Sequence, residues 1–165
     1  MELSAGDNIR CRAAQGWVEL GNAAEAEREF NTLSPEARLH PEARKTWWRI
    51  LALAGRWAEA LRVAVEFTDA HPEQVEAWVQ KAYALHELRR TAEARDQLLT
   101  VVERFPEDPI LRYNLGCYEC QLGHADAGEK WLKRACRVGD PAQLKAMALK
   151  DPDYQPIWDR IRAMA

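Results

Sequence analysis

Small apolar residues recur along the chain at a fixed interval, and each interval has the hydrophobic and polar pattern of two short helices. One column of small residues has a spacing of 34 positions and consists of Ala26, Ala60, Ala94 and Gly128. A second column lies five positions earlier and consists of Gly21, Gly55, Arg89 and Gly123. Because the spacing never changes, the pattern predicts four successive copies of one helix-turn-helix repeat unit.

Each copy has the features of a pair of packed helices. A first helix of about 13 residues is expected to end at the turn column, where glycine adopts a left-handed backbone without steric cost. Small residues on the first helix (Ala14, Ala82 and Gly116) face the small column on the second helix, which predicts a close approach. A single pair cannot bury both apolar faces, so the repeat units are expected to stack on one another.

This period and pattern resemble the tetratricopeptide repeat (TPR) family. The residues that carry the resemblance are Trp78, Ala82, Ala94, Val101 and Pro106 in the third copy, and Leu115, Gly116, Gly123, Ala127, Gly128 and Ala135 in the fourth. The stretch 113–123 is also similar to a bacterial TPR subset whose members have no assigned biochemical activity. The resemblance implies an all-α fold, a right-handed α-solenoid of four helix-turn-helix repeat units with a C-terminal helical cap.

The spacing also predicts the boundaries of the chain's parts. We expect a single TPR domain over residues 1–165, with repeat units at 7–40, 41–74, 75–108 and 109–142 and the cap at 143–165. Near the C-terminus, the pattern predicts a short helix over 141–149, a turn at Asp151-Pro152-Asp153, and a last helix over 155–164.

The second repeat unit departs from the pattern at one packing position. Trp48 occupies the column that holds Ala or Gly in the other first helices, and Ala64 stands where the first copy has Phe30. Two bulky residues there would overpack the helix pair at a cost of about 1–3 kcal/mol, so we interpret the change as an exchange of volume. Trp48 is therefore expected to be buried close to Ala64.

Composition agrees with a helical fold and narrows the class of partner. Ala, Leu, Glu, Arg and Lys make up 84 of the 165 residues, which excludes an all-β fold. The formal net charge of −3 and the pI near 5.9 argue against nucleic acid and anionic membranes as partners. The pattern contains neither a signal peptide nor a membrane-spanning stretch, so we expect a cytoplasmic protein with reduced cysteines.

No recognisable catalytic motif occurs in the sequence. A glycine-rich phosphate loop and a helix with paired histidines around a glutamate are both missing. Neither of the two serines, Ser4 and Ser34, lies in a nucleophile elbow. We therefore expect a protein without enzymatic activity and without a cofactor.

One group of residues has the elements of a zinc site. Cys117, Cys120 and His124 lie on one side of a predicted helix and its end, and Cys136 follows on the next helix. The two nearer cysteines lie within a helix, however, whereas structural zinc sites usually place them on loops that can wrap around the metal. We therefore interpret these two cysteines as packing residues and predict no metal site.

The TPR resemblance implies a concave groove lined by the first helices, and this groove is the expected partner-binding site. From the register, we expect its residues to be Arg12, Lys45, Arg49, Val79, Gln80, Tyr83, His86, Ile110, Tyr113, Asn114, Cys117 and Cys120. The N-terminal half of this set is charged, and the C-terminal half is more apolar than a solvated helix face. We expect an acidic or C-terminal carboxylate peptide to lie from Tyr113 towards Arg49, unless the cap or a dimer partner covers the apolar part.

These observations together predict a non-enzymatic protein–protein interaction module that holds a peptide or helical segment of another protein in the groove. A structural module that self-assembles into a homo-oligomer, such as a homodimer, is the alternative. The clamp with which some TPR domains bind chaperone tails is absent. Arg49 and Gln80 stand where this clamp has asparagines, and Ile110 and Asn114 replace its last lysine and arginine. Chaperone tails are therefore not expected as partners.

Overall fold

A computed structural model describes residues 3–164 of the chain. Over these residues it contains ten α-helices, three short 3₁₀ segments and no β-strand. The helices form two compact units, an N-terminal unit (Met1–Ala84) and a C-terminal unit (Leu85–Ala165). The predicted all-α class is confirmed. The division into four repeat units and a cap within a single domain stays a prediction.

The N-terminal unit consists of two helix pairs and the first part of a fifth helix. Its elements are α1 (Ala5–Glu19), α2 (Ala23–Phe30), α3 (Pro41–Leu53), α4 (Trp57–Ala70) and the start of α5 (Val75–Glu87), with a 3₁₀ turn at Ala37–Leu39. The side chains of Ser4, Asn22 and His40 each accept a hydrogen bond from a backbone N–H two or three residues further on. These caps satisfy N–H groups that have no partner within the helix, and they define where α1, α2 and α3 begin.

Small residues allow the helices of this unit to approach one another closely. The main core cluster consists of Cys11, Ala14, Ala26, Phe30, Leu33, Ala37, Ala43 and Ile50. Trp47 is partly buried and packs against this cluster, and its ring stacks on Phe30 with the centroids 4.8 Å apart. A second cluster forms around Leu51, Ala60 and Ala84 and is covered by partly buried aromatic residues. The apolar columns of the sequence are therefore helix-packing positions.

Trp48 lies at the edge of the second cluster and is half-buried. Its ring lies against Trp57 and Tyr83, with centroids 6.4 and 6.1 Å away. Its indole Nε1 is buried and has no hydrogen-bond partner among residues 3–164. Ala64 is fully buried. The expected burial of Trp48 therefore holds for only part of its side chain.

A buried carboxylate ties the loop after α2 to the start of α1. Asp7 accepts hydrogen bonds from the Ser34 N–H and the Ser34 hydroxyl, both at 3.0 Å, and from the Ser4 hydroxyl at 2.8 Å. The bond from the Ser34 backbone contributes most to holding the pKa of Asp7 below its ordinary value. The ionised form of Asp7 is therefore part of the folded structure.

The C-terminal unit begins within α5 and continues with five further helices. They are α6 (Thr91–Val101), α7 (Pro109–Gln121), α8 (Ala125–Val138), α9 (Pro141–Ala148) and α10 (Trp158–Ala163), with 3₁₀ segments at Val102–Arg104 and Pro152–Ile157. An Asp-Pro pair starts three of these elements, with Asp108, Asp140 and Asp151 as the capping residues. The aspartate accepts bonds from free N–H groups, and the proline after it has no N–H to satisfy.

The pair formed by α7 and α8 is closest where two glycines face each other. A Cβ atom on Gly116 would lie 3.1 Å from the carbonyl oxygen of Gly128 and would overlap the Tyr154 hydroxyl. A Cβ atom on Gly128 would overlap the sulfur of Cys120. The small residues that the sequence predicts at this crossing are therefore required by backbone contact and by a tyrosine from the C-terminal segment (residues 151–157).

The last helix begins later than the sequence predicts. Residues 152–157 form a 3₁₀ segment, and α10 begins at Trp158 instead of residue 155. Pro156 cannot donate a helical hydrogen bond, and it also disfavours α-helical backbone at Gln155. The 3₁₀ segment nevertheless carries core residues, because Tyr154 and Ile157 are buried.

The predicted turn column adopts a left-handed backbone in all four copies. The backbone angle φ is 72° at Gly21, 68° at Gly55 and 86° at Gly123, and it is 62° at Arg89. Among residues 3–164, Arg89 is the one non-glycine residue with a positive φ. A Cβ atom in this conformation costs about 1–2 kcal/mol, so the third turn carries strain that the other three avoid.

Replacing Arg89 by glycine is therefore expected to stabilise the protein. The relief of backbone strain exceeds the added entropy of the unfolded chain, and we expect a gain of about 1 kcal/mol in the free energy of unfolding. The change should appear as a higher midpoint in urea with an unaltered slope. Gly55→Ala is the matched control of opposite sign, because a Cβ atom there meets nothing within 4 Å and introduces backbone strain alone. An Arg89→Gly variant that is less stable than the wild type would show that the backbone at Arg89 is not strained.

Candidate functional site

In the N-terminal unit, two arginines of the expected groove are exposed on first helices. Arg12 lies on α1 and Arg49 on α3, and these two helices pack against each other. Neither arginine forms an ion pair or hydrogen bond with any residue in the described part of the chain. A cavity of about 400 Å³ adjoins Arg12 and is lined by Leu3, Asn8, Cys11, Arg12, Gln15, His40 and Glu42. We call the surface defined by Arg12, Arg49, Val79 and Tyr83 the first-helix face.

Lys45 belongs to the same expected set, but its charge is already neutralised within the chain. Its ammonium group lies 3.1 Å from a Glu42 carboxylate oxygen and also pairs with Glu76. Burial opposes the charge of Lys45, but the hydrogen bonds to Glu76 and Glu42 outweigh it and raise the pKa of Lys45 above its ordinary value. Lys45 therefore links α3 to α5 and has less attraction left for a ligand than Arg12 or Arg49.

The start of α5 supplies the other three expected residues of this unit. Tyr83 is 40% exposed, and its ring packs against Trp57 at a centroid distance of 5.7 Å. Val79 is half-buried, whereas Gln80 is only 8% exposed and its Oε1 has no hydrogen-bond partner among residues 3–164. Tyr83 is thus the most accessible aromatic residue of the expected groove, and it is held in place by two tryptophans.

In the C-terminal unit, the C-terminal segment covers the expected groove residues of α7. Tyr113 is buried, and its hydroxyl donates a hydrogen bond of 2.8 Å to Oδ2 of Asp151. The thiol of Cys117 lies 3.5 Å from the same oxygen, and the ring of Tyr154 packs edge-on against Tyr113 at 5.0 Å. Burial is the main cause that raises the pKa values of Tyr113 and Cys117 well above their ordinary ranges. The C-terminal segment therefore occupies the place in which the sequence predicts part of the peptide.

His86 also contacts this segment. Its Nε2 lies 3.0 Å from Oδ2 of Asp153, and its Nδ1 lies 2.9 Å from the Thr91 hydroxyl. The side-chain amide of Gln121 donates to the backbone carbonyl of Asp153 at 3.1 Å. The sequence pattern places no carboxylate beside His86, because Asp153 is 67 positions away and outside the repeat spacing. The signal that could have found it is the density of aspartates in the Asp-Pro-Asp turn.

The remaining expected residues of α7 are not freely exposed. Ile110 and Asn114 are half-buried, and Cys120 is buried. Cys120 lies beside Gly128, as the close approach of α7 and α8 requires. Burial raises the pKa of Cys120 to about 11. The sequence pattern groups these residues with Arg12 and Arg49, but the residues of α7 are much less accessible than the two arginines.

The cysteine and histidine cluster is divided among separate contacts. Cys117 faces Asp151, while His124 pairs with Glu119 at 2.6 Å. Cys136 lies on α8 and is half-buried. Among residues 3–164, no group of three or more His, Cys, Asp and Glu side chains could hold a metal ion. The contacts of these residues are those of packing and helix-end stabilisation.

The four thiols are expected to differ sharply in reactivity. Cys11, Cys117 and Cys120 are buried, and burial raises the pKa of every thiol in the chain, so little thiolate forms at neutral pH. Titration of the native protein with a thiol reagent should modify Cys136 first, and the other three should react only in denaturant. The Cys136→Ser variant, as a control, should lose the native reaction. Rapid modification of Cys117 in the folded protein would contradict its burial beneath Asp151.

Comparison with known proteins identifies the family. A family model described as tetratricopeptide repeat matches residues 49–109 and again residues 87–143. These matches span more than half of the chain. The chain belongs to the tetratricopeptide repeat family. TPR proteins are generally non-enzymatic modules that bind other proteins. No functionally curated protein matches the sequence.

Solved TPR structures share the fold at low sequence identity. TTC0263, a thermophilic TPR protein of Thermus thermophilus, has a TM-score of 0.74 and 19% identity, with 95% of each chain covered. MamA (41-end) from Desulfovibrio magneticus RS-1 has a TM-score of 0.70 and 19% identity, covering 98% of this chain and 96% of its own. PcrH in complex with the chaperone binding region of PopB has a TM-score of 0.56 and 16% identity, covering 81% and 98%. The predicted TPR solenoid fold is confirmed by these likenesses.

Helix length and polarity determine whether a segment can cross a membrane. Every helix in the described part of the chain is too short or too polar to do so. Charged residues interrupt even the long helices, as the sequences of α1 and α8 illustrate.

Proposed function

We propose that the protein binds an acidic segment of a partner protein on the first-helix face of its N-terminal unit. The observation that carries the proposal is the pair of exposed arginines, Arg12 and Arg49, which lack partners among the described residues. Carboxylates of a partner would form charge-assisted hydrogen bonds with them. Tyr83 adds an accessible aromatic surface that is held rigid by Trp48 and Trp57, which favours contact at low cost in entropy.

The electrostatics of the surrounding residues support an acidic ligand over a basic one. Lys45 already satisfies Glu42 and Glu76, so these carboxylates offer less attraction to an incoming cation. The cavity beside Arg12 also presents the polar side chains of Asn8 and Gln15. Hydrogen bonds from the Asn8 amide and ion pairs with the arginines would together orient an extended segment.

The complex of PcrH with the chaperone binding region of PopB supports this class of function, because a protein of the same fold there binds a segment of another protein. The proposal differs from the sequence expectation in the extent of the site. The sequence predicts a peptide that reaches Tyr113, but the C-terminal segment occupies the surface of α7. We therefore place the partner segment on the first-helix face alone.

Affinity capture with charge-reversed variants tests the proposal. The wild type and an Arg12→Glu, Arg49→Glu double variant are immobilised, and proteins captured from a lysate of the source cells are identified by mass spectrometry. A partner with an acidic segment should bind the wild type and be lost, by about tenfold or more, with the double variant. The reason is that two attractive contacts become repulsive.

The matched control is Arg28→Glu, Arg62→Glu, which makes the same change of charge on the second helices α2 and α4. Both arginines are exposed, and within the described part of the chain each pairs with a glutamate of its own helix. Equal loss of the partner with this control would show that net charge, and not the first-helix face, determines binding. Light scattering of the wild type and of both variants separates partner binding from self-assembly. If the protein self-assembles through this face, the wild type should form a homo-oligomer and the Arg12→Glu, Arg49→Glu variant should not.

A further inference from the structure

A separate cavity in the C-terminal unit is lined by positive charges. It has a volume of about 670 Å³ and lies among α8, α9 and α10. Its four cationic residues are Lys133, Arg137, Lys145 and Arg160. They come from three different helices, so they surround the cavity and do not form a stripe along one helix. The chain as a whole carries a net charge of −3, which makes this cluster a local exception.

The ion pairs of the cavity leave an excess of positive charge. Lys133 pairs with Glu129 at 2.6 Å, and Arg160 pairs with Asp126 at 2.6 Å and with Glu129 at 3.1 Å. Arg137 has no ion pair with any residue between 3 and 164. Arg137 therefore adds a positive charge that Glu129 and Asp126 do not neutralise, and an anionic ligand would meet a net attraction.

The walls between these cations are apolar, and two backbone N–H groups at the nearest helix start are already hydrogen-bonded within the chain. Cys136, Pro141 and Met164 line the cavity between the charged side chains. At the start of α9, Asp140 already accepts the N–H groups of Ala142 and Gln143. A compact phosphate would thus lack the backbone cradle that commonly holds it. Spread cations with apolar gaps suit a chain in which carboxylates and apolar side chains alternate.

We propose that this basic cavity is a second binding site, which takes an acidic segment of a protein with apolar side chains between its carboxylates. The carboxylates pair with Arg137 and Lys133 at the rim, and the apolar side chains contact Cys136 and Met164. The site lies on α8 to α10 and shares no residue with the first-helix face. It is therefore independent of the function proposed above, and either proposal can fail alone.

An NMR titration of the full-length ¹⁵N-labelled protein tests the cavity directly. The probe is a short synthetic peptide in which glutamates alternate with leucines. Saturable shifts are expected at backbone amides of α8, α9 and α10. The affinity for the peptide derived from these shifts should be about tenfold lower in a Lys133→Glu, Arg137→Glu variant. It should be unchanged in an Arg12→Glu, Arg49→Glu variant. The matched control is Lys130→Glu, Arg162→Glu, which reverses two exposed charges on α8 and α10 outside the cavity.

Each remaining outcome overturns the proposal in a recognisable way. Shifts confined to α1 and α3 would show that the peptide does not bind in the basic cavity. The first-helix face would then remain as its binding site. Equal shifts with a peptide whose glutamates are replaced by glutamines would show that charge does not determine binding. Saturation by inorganic phosphate at the same amides, with no competition by the peptide, would identify a site for small anions only.

Discussion

Replacing Tyr154 by alanine is expected to lower the free energy of unfolding by about 3–5 kcal/mol, because the variant leaves a large cavity in the C-terminal unit. Tyr154 is fully buried. Its hydroxyl donates a hydrogen bond of 2.8 Å to the backbone carbonyl of Tyr113, and its ring packs against the Tyr113 ring. The same residue thus fills the space above Gly116 and fixes the C-terminal segment on α7. Urea unfolding monitored by circular dichroism measures the change.

Tyr154→Phe separates the two contributions of this side chain. The ring remains and only the hydroxyl is lost, so the expected destabilisation is about 1 kcal/mol. The Ala variant should also expose Cys117, which makes reaction with a thiol reagent a second readout. If the Ala and Phe variants were equally stable, the ring would not be part of the core, and the C-terminal segment would not be fixed by it.

Gly116→Ala is expected to destabilise the protein by about 1–3 kcal/mol, although alanine is the better helix former by about 1 kcal/mol. The added methyl group would overlap the Tyr154 hydroxyl and approach the Gly128 carbonyl oxygen at 3.1 Å. Either the helices α7 and α8 move apart or Tyr154 leaves its position, and both changes lose packing. Thermal and urea unfolding of the variant measure the loss.

Gly16→Ala makes the same substitution in α1, at a position where a Cβ atom meets nothing within 4 Å. There only the helix preference acts, and a gain of about 0.5–1 kcal/mol is expected. The two variants therefore differ in sign for the same chemical change. A stabilising Gly116→Ala would mean that the α7 and α8 backbones are further apart than the structure places them.

The regular part of this fold could be read from the sequence because each repeat follows the same packing rule. Ala26, Ala60, Ala94 and Gly128 are all buried, and the turn column adopts a positive φ at each of its four positions. Steric requirements of this kind act within one helix pair. They therefore determine which residue types occur in the sequence: a small residue where helices approach closely, as at Gly116, and a glycine where φ is positive, as at Gly55.

The contacts of the C-terminal segment could not be read in the same way. Asp151 and Asp153 contact Tyr113 and His86 across 38 and 67 positions of sequence, and neither separation follows the repeat. The segment is also a 3₁₀ element interrupted by Pro156, so no helical periodicity shows which of its side chains face α7. As a result, the sequence pattern places Tyr113 and Cys117 in an open groove, while the structure places them beneath the segment.

The cover over α7 leaves the N-terminal unit as the one in which we propose partner binding. The apolar residues of α7 are satisfied within the chain, whereas Arg12 and Arg49 are exposed and have no partner among the described residues. The apolar residues of α7 thus stabilise the C-terminal unit, whereas the two exposed arginines are the groups that we propose for charge-complementary binding on the first-helix face.

Site-specific photo-crosslinking tests whether an acidic segment of a partner binds on the first-helix face. A photoreactive amino acid is placed at position 12 or 49 on the first-helix face, and at position 28 or 62 on the second helices as the control. After irradiation with the captured partner, mass spectrometry maps the crosslinked peptide. We expect crosslinks from positions 12 and 49 to one acidic segment, and none from positions 28 and 62. Crosslinks from positions 28 and 62 alone would contradict this expectation.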